Sequence, residues 1–515
     1  MLKEVKVQAE RNLDAMAAAL PPPRIYRAEQ NGGIGYNDVK RDPDSRVDVV
    51  IGPFLSGVEP GDGIVLFWNQ DPDDGDPGEP VATGVVDDPG RTQVLWVDAQ
   101  DIEQAGDGLI PVFYQILTQP GDDATASPVL MVRVKLATPG EAHLDPEPGT
   151  PYINDRLRPP TIEPSLIGED EADNVVVTIE AWDNKEDGDQ LTLRWNGQPI
   201  VRTIDDGDPS APVVIEMARA DLEAGGDGDA LPVNYSIRDV VNNWSLNSPS
   251  AQVEVELDPS LLSAPDIRDA LDGEIDLDDL GRGDVAVWVQ DRAIGESDAI
   301  TLTWAGYTPE GNLVPYSDSK LSAGVGKTTR FSVPYAAVEA IAMGYAVVSY
   351  TVGEDARRSR RATVRVVGEV KALDAPVVVE ANGGGTLDPV QTATVRIEPY
   401  TPMNAGDMVE LRWLGTKANG DPTLYPRTIP ITGPAVGNPV LIPIPEAEVE
   451  VLDGGRVEVS YQVYPIEGGP LQSPAMTYRV EGASGLLPVP EVLHEDSGVL
   501  LRFKESSQHP SLCCG

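Results

Sequence analysis

The feature that most constrains this chain is a pair of landmarks, a tryptophan and a later tyrosine, that recurs four times. An aspartate precedes each tryptophan by six positions: Asp62 and Trp68, Asp189 and Trp195, Asp298 and Trp304, Asp407 and Trp413. Successive tryptophans lie 127, 109 and 109 residues apart, which is one small domain per interval. The approaches to the four tryptophans align, Val65-Leu66-Phe67-Trp68 with stretches such as Leu191-Thr192-Leu193-Arg194-Trp195, and the last three alternate. Side chains of a strand point to opposite faces in turn, so this pattern predicts a half-buried strand. Tyr114, Tyr235, Tyr350 and Tyr461 each sit in a second such stretch, for example Val347-Val348-Ser349-Tyr350-Thr351-Val352. A Gly lies shortly before each, and ahead of it come short acidic pieces such as Asp221-Leu222-Glu223, which predict a single helical turn crossing between sheets.

Proline punctuation divides the rest. Ser127-Pro128, Ser248-Pro249 and Ser473-Pro474 precede a last alternating strand, where a leading proline costs no ladder bond; the third repeat has Ser359-Arg360 instead. Ala264-Pro265, Ala375-Pro376 and Val489-Pro490 mark domain starts. These signals divide the chain into an N-terminal helical segment (1–20), a first domain (21–137), an acidic linker (138–164), three further domains (165–258, 259–370 and 371–482) and a last piece (483–515) that opens like a fifth repeat. The linker holds nine prolines or glycines, which predicts a semi-extended joint after the first domain and stiffer contact among the others. A lone opening strand cannot bury its apolar face, so the last piece reads as the truncated end of a longer array.

About seven short strands per domain, one core tryptophan and a late tyrosine are the requirements of an immunoglobulin-like sandwich. The predicted fold class is therefore all-β, a tandem array of four such domains behind a short N-terminal helix. Each indole fills the space between two sheets, and each tyrosine can bond its hydroxyl to the preceding corner. Sugar stacking is the alternative role for the indoles. On these residues, from about 21 to 482, the chain resembles the bacterial immunoglobulin-like repeat family of surface adhesins and of phage or secretion appendages. The resemblance implies an extended, non-catalytic rod that spaces or binds. The disulfide that antibody domains pair with this tryptophan has no counterpart, because the two cysteines are Cys513 and Cys514.

Charge and residue counts exclude most chemistry. A net charge of −46 supplies no phosphate-neutralising face, so nucleic acid is excluded as a partner. Of three histidines, only His143 lies outside the last piece, and it falls in the linker; neither a Ser-His-Asp triad nor a histidine-ligated zinc site can be assembled within the repeats. No enzyme activity and no cofactor are expected. A structural calcium is the one metal weighed. The loop Asp183–Gly188 places Lys185 at a ligand position and fails as an EF-hand, and the Gly-rich run at Gly225–Ala230 lacks a calcium repeat's hydrophobe. What remains are Asp71, Asp73, Asp74 and Asp76 in one loop, Asp205, Asp206 and Asp208 in the equivalent loop, and Asp276, Asp278 and Asp279 near a domain entry, against the plainer reading of solvated acidic turns. The recurring Asp62, Asp189, Asp298 and Asp407 read as acceptors for backbone N–H groups in the turn before the strand.

No stretch is long and apolar enough to span a membrane, and Met1–Leu20 lacks a signal-peptide core. That segment can form an amphipathic helix with Leu2, Val5, Leu13, Met16 and Leu20 near one face, available to a partner. The expectation is a surface or secreted bacterial spacer or adhesion module with a protein or carbohydrate ligand. A structural part of a phage or contractile injection particle is the alternative, with cytoplasmic or virion-associated placement to match.

Overall fold

A computed structural model of the chain describes residues 20–40, 45–70, 79–118, 124–141, 150–353, 355–369, 373–381, 385–466, 470–481, 491–495 and 498–502. The described residues are mostly β and form four similar sets of sheets. The chain falls into two compact units: one of residues 1–372 with 400–408 and 464–471, the other of 373–399, 409–463 and 472–515.

The second repeat shows the plan. Its strands are β1 (Thr161–Glu163), β2 (Leu166–Gly168), β3 (Val176–Ile179), β4 (Gln190–Trp195), β5 (Gln198–Thr203), β6 (Val213–Glu216), β7 (Gly228–Arg238), β8 (Trp244–Asn247) and β9 (Ala251–Glu256), with a helix α1 (Arg219–Gly225) between β6 and β7. The larger sheet runs β2-β9-β7-β4-β5 with β8 added on β7, and the smaller runs β6-β3-β1. Helix α1 makes the crossing from the small sheet to the large one. The entering chain thus splits, β1 joining the small sheet and β2 running parallel to β9 in the large one. Alternation decides which faces meet: along β9, Val253 and Val255 are buried while Gln252, Glu254 and Glu256 are exposed. The core they enclose holds Ile167, Val177, Leu191, Leu193, Trp195 and Tyr235, and β4 meets β7 with Leu193 opposite Tyr235.

The first and third repeats keep the same order in their large sheets, around Gly63–Trp68 with Gly108–Leu117 and Ala299–Tyr307 with Tyr345–Val352. The second compact unit, taken by itself, carries the same order again around Met408–Thr416 and Gly455–Tyr464. It also contains a hairpin, Glu491–Glu495 with Gly498–Arg502, in the piece expected to offer a single opening strand. A second strand supplies the ladder partner that a lone strand lacks. The N-terminal segment expected to be helical lies outside the described residues up to 19, as do His143, Cys513 and Cys514.

The expected linker is largely structured. Residues 161–163, placed in it by composition, form β1, and Leu157 is part of the second core. The Gly140 N–H donates to the Asp183 carbonyl, the Asn184 amide to the Thr138 carbonyl, and the buried Asn154 amide to the carbonyls of Gly140 and Ser245. Prolines and glycines here make turns held by side-chain amides, so the described ends of the segment pack on the second repeat rather than forming a flexible joint.

Candidate functional site

The recurring aspartates hold turns. In each repeat one carboxylate oxygen accepts the N–H of the residue three places earlier: Glu59 to Asp62 at 2.9 Å, Glu186 to Asp189 at 3.2 Å, Gly295 to Asp298 at 2.8 Å and Asn404 to Asp407 at 2.9 Å. Asp189 also accepts the Trp182 indole N–H at 3.1 Å, and Asp407 the Tyr400 hydroxyl at 3.0 Å.

Trp68, Trp195, Trp304 and Trp413 are 3%, 0%, 0% and 1% exposed, which leaves no face for a sugar. None of their indole N–H groups has a hydrogen-bond acceptor. Tyr114, Tyr235, Tyr350 and Tyr461 are equally buried, but their hydroxyls do not bond the corner just before the strand. Three donate to the chain entering the sandwich: Tyr114 to the Pro21 carbonyl at 2.6 Å, Tyr235 to Arg158 at 2.9 Å and Tyr461 to Asp374 at 2.9 Å. The Tyr350 hydroxyl has no partner. A role that sequence reasoning missed belongs to the serines of the Ser-Pro pairs. Ser127, Ser248, Ser359 and Ser473 each accept the N–H of their repeat's tyrosine, at 3.1, 3.0, 2.9 and 2.8 Å. The signal was the serine kept in Ser359-Arg360, where the proline was lost.

The described acidic loop already carries a cation. The Lys185 ammonium, its side chain fully buried, donates to an Asp206 carboxylate oxygen at 2.7 Å and to the carbonyls of Asp208 and Ala211, each at 2.8 Å. Its hydrogen bond is the first cause holding the Asp206 carboxyl below the usual range. Asp208 accepts from the Ser210 N–H and hydroxyl, which lower its own pKa. Asp276 accepts the Asp278 N–H as a helix cap. The candidates Asp206 and Asp208 therefore build a lysine-filled turn, which Asp205 precedes in the chain, while Asp71, Asp73, Asp74 and Asp76 lie outside the described residues. Among the described residues no three metal-ligating side chains converge.

The concentrated electrostatics sit where repeats meet. Lys135, at the end of the first repeat's last strand, is buried and reaches three carboxylates of the second: Glu186, Asp239 at 3.4 Å and Asp189 at 3.9 Å. Burial pushes the Asp189 carboxyl up to about 6, with Lys135 opposing the shift. Asn243 completes the joint, accepting the Tyr36 N–H at 2.7 Å and donating to the Lys135 carbonyl at 2.8 Å and to Asp239 at 2.9 Å. Gly35 is required there, because a Cβ would lie 2.4 Å from the Asn243 amide oxygen.

Between the second and third repeats, Arg194 donates to the Ser236 hydroxyl at 3.1 Å and the Glu310 carbonyl at 3.0 Å, and Asn247 to the Pro309 carbonyl at 2.8 Å. The Thr363 hydroxyl donates to Asn196 at 3.0 Å. Beside these contacts a cleft of about 640 Å³ opens between the outer face of β4, β7 and β9 and the strands and loops of the third repeat that carry Glu274, Tyr345, Thr363 and Pro309.

No family model matches the chain, and no curated protein does. Solved structures with similar features include one from a 1.5-MDa bacterial ice-binding adhesin, at 15% identity and a TM-score of 0.15, covering 63% of this chain and 96% of that one. A mutant Salmonella alpha-2-macroglobulin matches at 12% identity and 0.16 over 85% of this chain, which spans 32% of that protein's length. The FN1–FN3 domains of chicken CNTN1 match at 10% identity and 0.14, covering 63% and 99%.

Proposed function

We propose that the chain is a non-catalytic spacer and binding module, four immunoglobulin-like sandwiches in tandem, that works at a bacterial surface or after secretion. The observation that carries this reading is the wiring of the junctions within the first compact unit. Lys135 of one repeat is buried among carboxylates of the next, and Arg194 donates to a backbone carbonyl of the repeat after it. Breaking a buried ion pair by removing one partner costs about 3 to 5 kcal/mol, so neighbouring repeats resist independent movement. A chain meant to hold a binding surface at a distance needs such coupling. An enzyme needs convergent reactive groups, and the charged side chains described above are spent on turns, caps and joints.

Fractionation of producing cells tests the reading. The protein is expected in the envelope fraction or the medium. Recovery in the cytoplasm, free of any particle, overturns it; co-sedimentation with phage-like or injection particles transfers the spacer to that setting.

A further inference from the structure

We propose that the cleft between the second and third repeats is a binding site for a neutral oligosaccharide. The proposal deepens the binding role proposed above and rests on it for its setting only. The cleft's volume, about 640 Å³, falls within the range of small-molecule sites. Its lining includes Arg194, Asn234 and Gln252 on the outer face of the second repeat's large sheet, Tyr152 before that sheet, and Tyr345 and Thr363 of the third repeat. Arg194 and Asn234 are cross-strand partners in β4 and β7, and Pro232 faces Gln252 across β7 and β9, so the three polar side chains form one row on one face.

One group in this row is left unpaired by the fold, and a ring stands opposite it. The Asn234 amide oxygen is buried without a hydrogen-bond partner. A buried acceptor without a partner is destabilising, and one that lines a cleft is a place where a ligand donor would be favoured. Tyr345 stacks on Tyr307 with ring centroids 5.2 Å apart, and its pKa is raised by burial and lowered by the nearby Arg194. That arrangement puts a phenol ring and a guanidinium at the same wall.

The chemistry of the ligand follows by exclusion. An apolar molecule would leave Asn234 unsatisfied. An anion would meet Asp155 and Asp272 in the lining, with Arg365 already paired to Glu274 at 2.8 Å, on a chain of net charge −46. A bare cation would meet the Arg194 guanidinium. Vicinal hydroxyls both donate and accept, which matches the two amides of Asn234 and Gln252, and the C–H face of a pyranose ring matches the rings of Tyr152 and Tyr345.

The test uses the full chain and a panel of neutral gluco-, galacto- and manno-oligosaccharides, from di- to tetrasaccharides, read by saturation-transfer NMR and calorimetry. At least one is expected to bind, and Asn234→Ala and Gln252→Ala are each expected to weaken it at least tenfold. Asn234→Ala should leave the melting midpoint of the free protein unchanged or raised, because it deletes an unsatisfied acceptor; a residue with only a structural role would lower it. If that variant fails to fold, Gln252→Ala on β9 carries the comparison. Silence across the whole panel overturns the proposal, as does undiminished binding by the double variant. Selection of a peptide that occupies the cleft while every sugar fails assigns the site to a different class of partner. None of these results bears on where the protein is found, so the cleft can fail while the surface spacer stands.

Discussion

At the scale of single residues, the four core tryptophans act through volume alone. Because the Trp304 indole N–H has no acceptor, Trp304→Phe removes packing but strands no hydrogen-bond partner. The expected cost is about 1 to 2 kcal/mol, against about 3 to 5 kcal/mol for Trp304→Ala, measured by urea unfolding. Equal costs for the two would mean the indole nitrogen matters. Asp189 makes a pH prediction. Its carboxyl titrates near 6 in the fold, above its ordinary value of 3.8, chiefly because it is buried. A raised folded pKa means the native state holds the extra proton between those values. The stabilising contribution is therefore complete below about pH 4 and is lost as pH rises through about 6. At 1.36 kcal/mol per unit, it amounts to up to about 3 kcal/mol. Asp189→Asn should flatten the dependence of the melting midpoint on pH across that window; an unchanged slope assigns the dependence to other groups.

At the scale of elements, the serine and tyrosine pairing fixes the chain at Ser127, Ser248, Ser359 and Ser473 against the strand that carries the tyrosine. Ser248→Ala leaves the Tyr235 N–H buried without its acceptor and should cost about 1 to 3 kcal/mol, whereas Ser248→Thr, which keeps the oxygen, should cost less. Chemical denaturation of the two variants side by side reads the difference, and equal losses would remove the hydroxyl from the explanation. The exit of the crossing helix offers a second case. Gly106, Gly226 and Gly454 sit there at positive φ, while the third repeat has Met343 at φ 62°. A side chain in that region costs roughly 1 to 2 kcal/mol. Met343→Gly is expected to raise the melting midpoint, less the entropy that glycine adds to the unfolded chain.

At the scale of the whole molecule, coupling between repeats is a matter of a few buried polar groups. Asn243→Ala deletes the links to Tyr36 and Lys135 and leaves the Lys135 cluster short of a partner. Calorimetry should then show the first repeat melting apart from the second, where the unaltered chain melts them together; one shared transition in both proteins would disprove the coupling. The repeated sandwich plan was legible in the sequence because period-2 alternation and turn residues dictate locally which face of a strand is buried. The aspartate turns were legible for the same reason, since their partners are three residues away. The serine acceptors, the course of the tyrosine hydroxyls, the lysine within the acidic loop and the structured linker were not legible, because each depends on groups brought together from distant parts of the chain. Tyr235 meets Arg158 across 77 positions and Lys135 meets Asp189 across a domain boundary. The sequence by itself determined the strands, their buried faces and the spacing of the cores, all set by short-range pattern. Only the tertiary structure decided where charges pair and where an acceptor such as Asn234 is left unmet, because burial is a property of the packed chain.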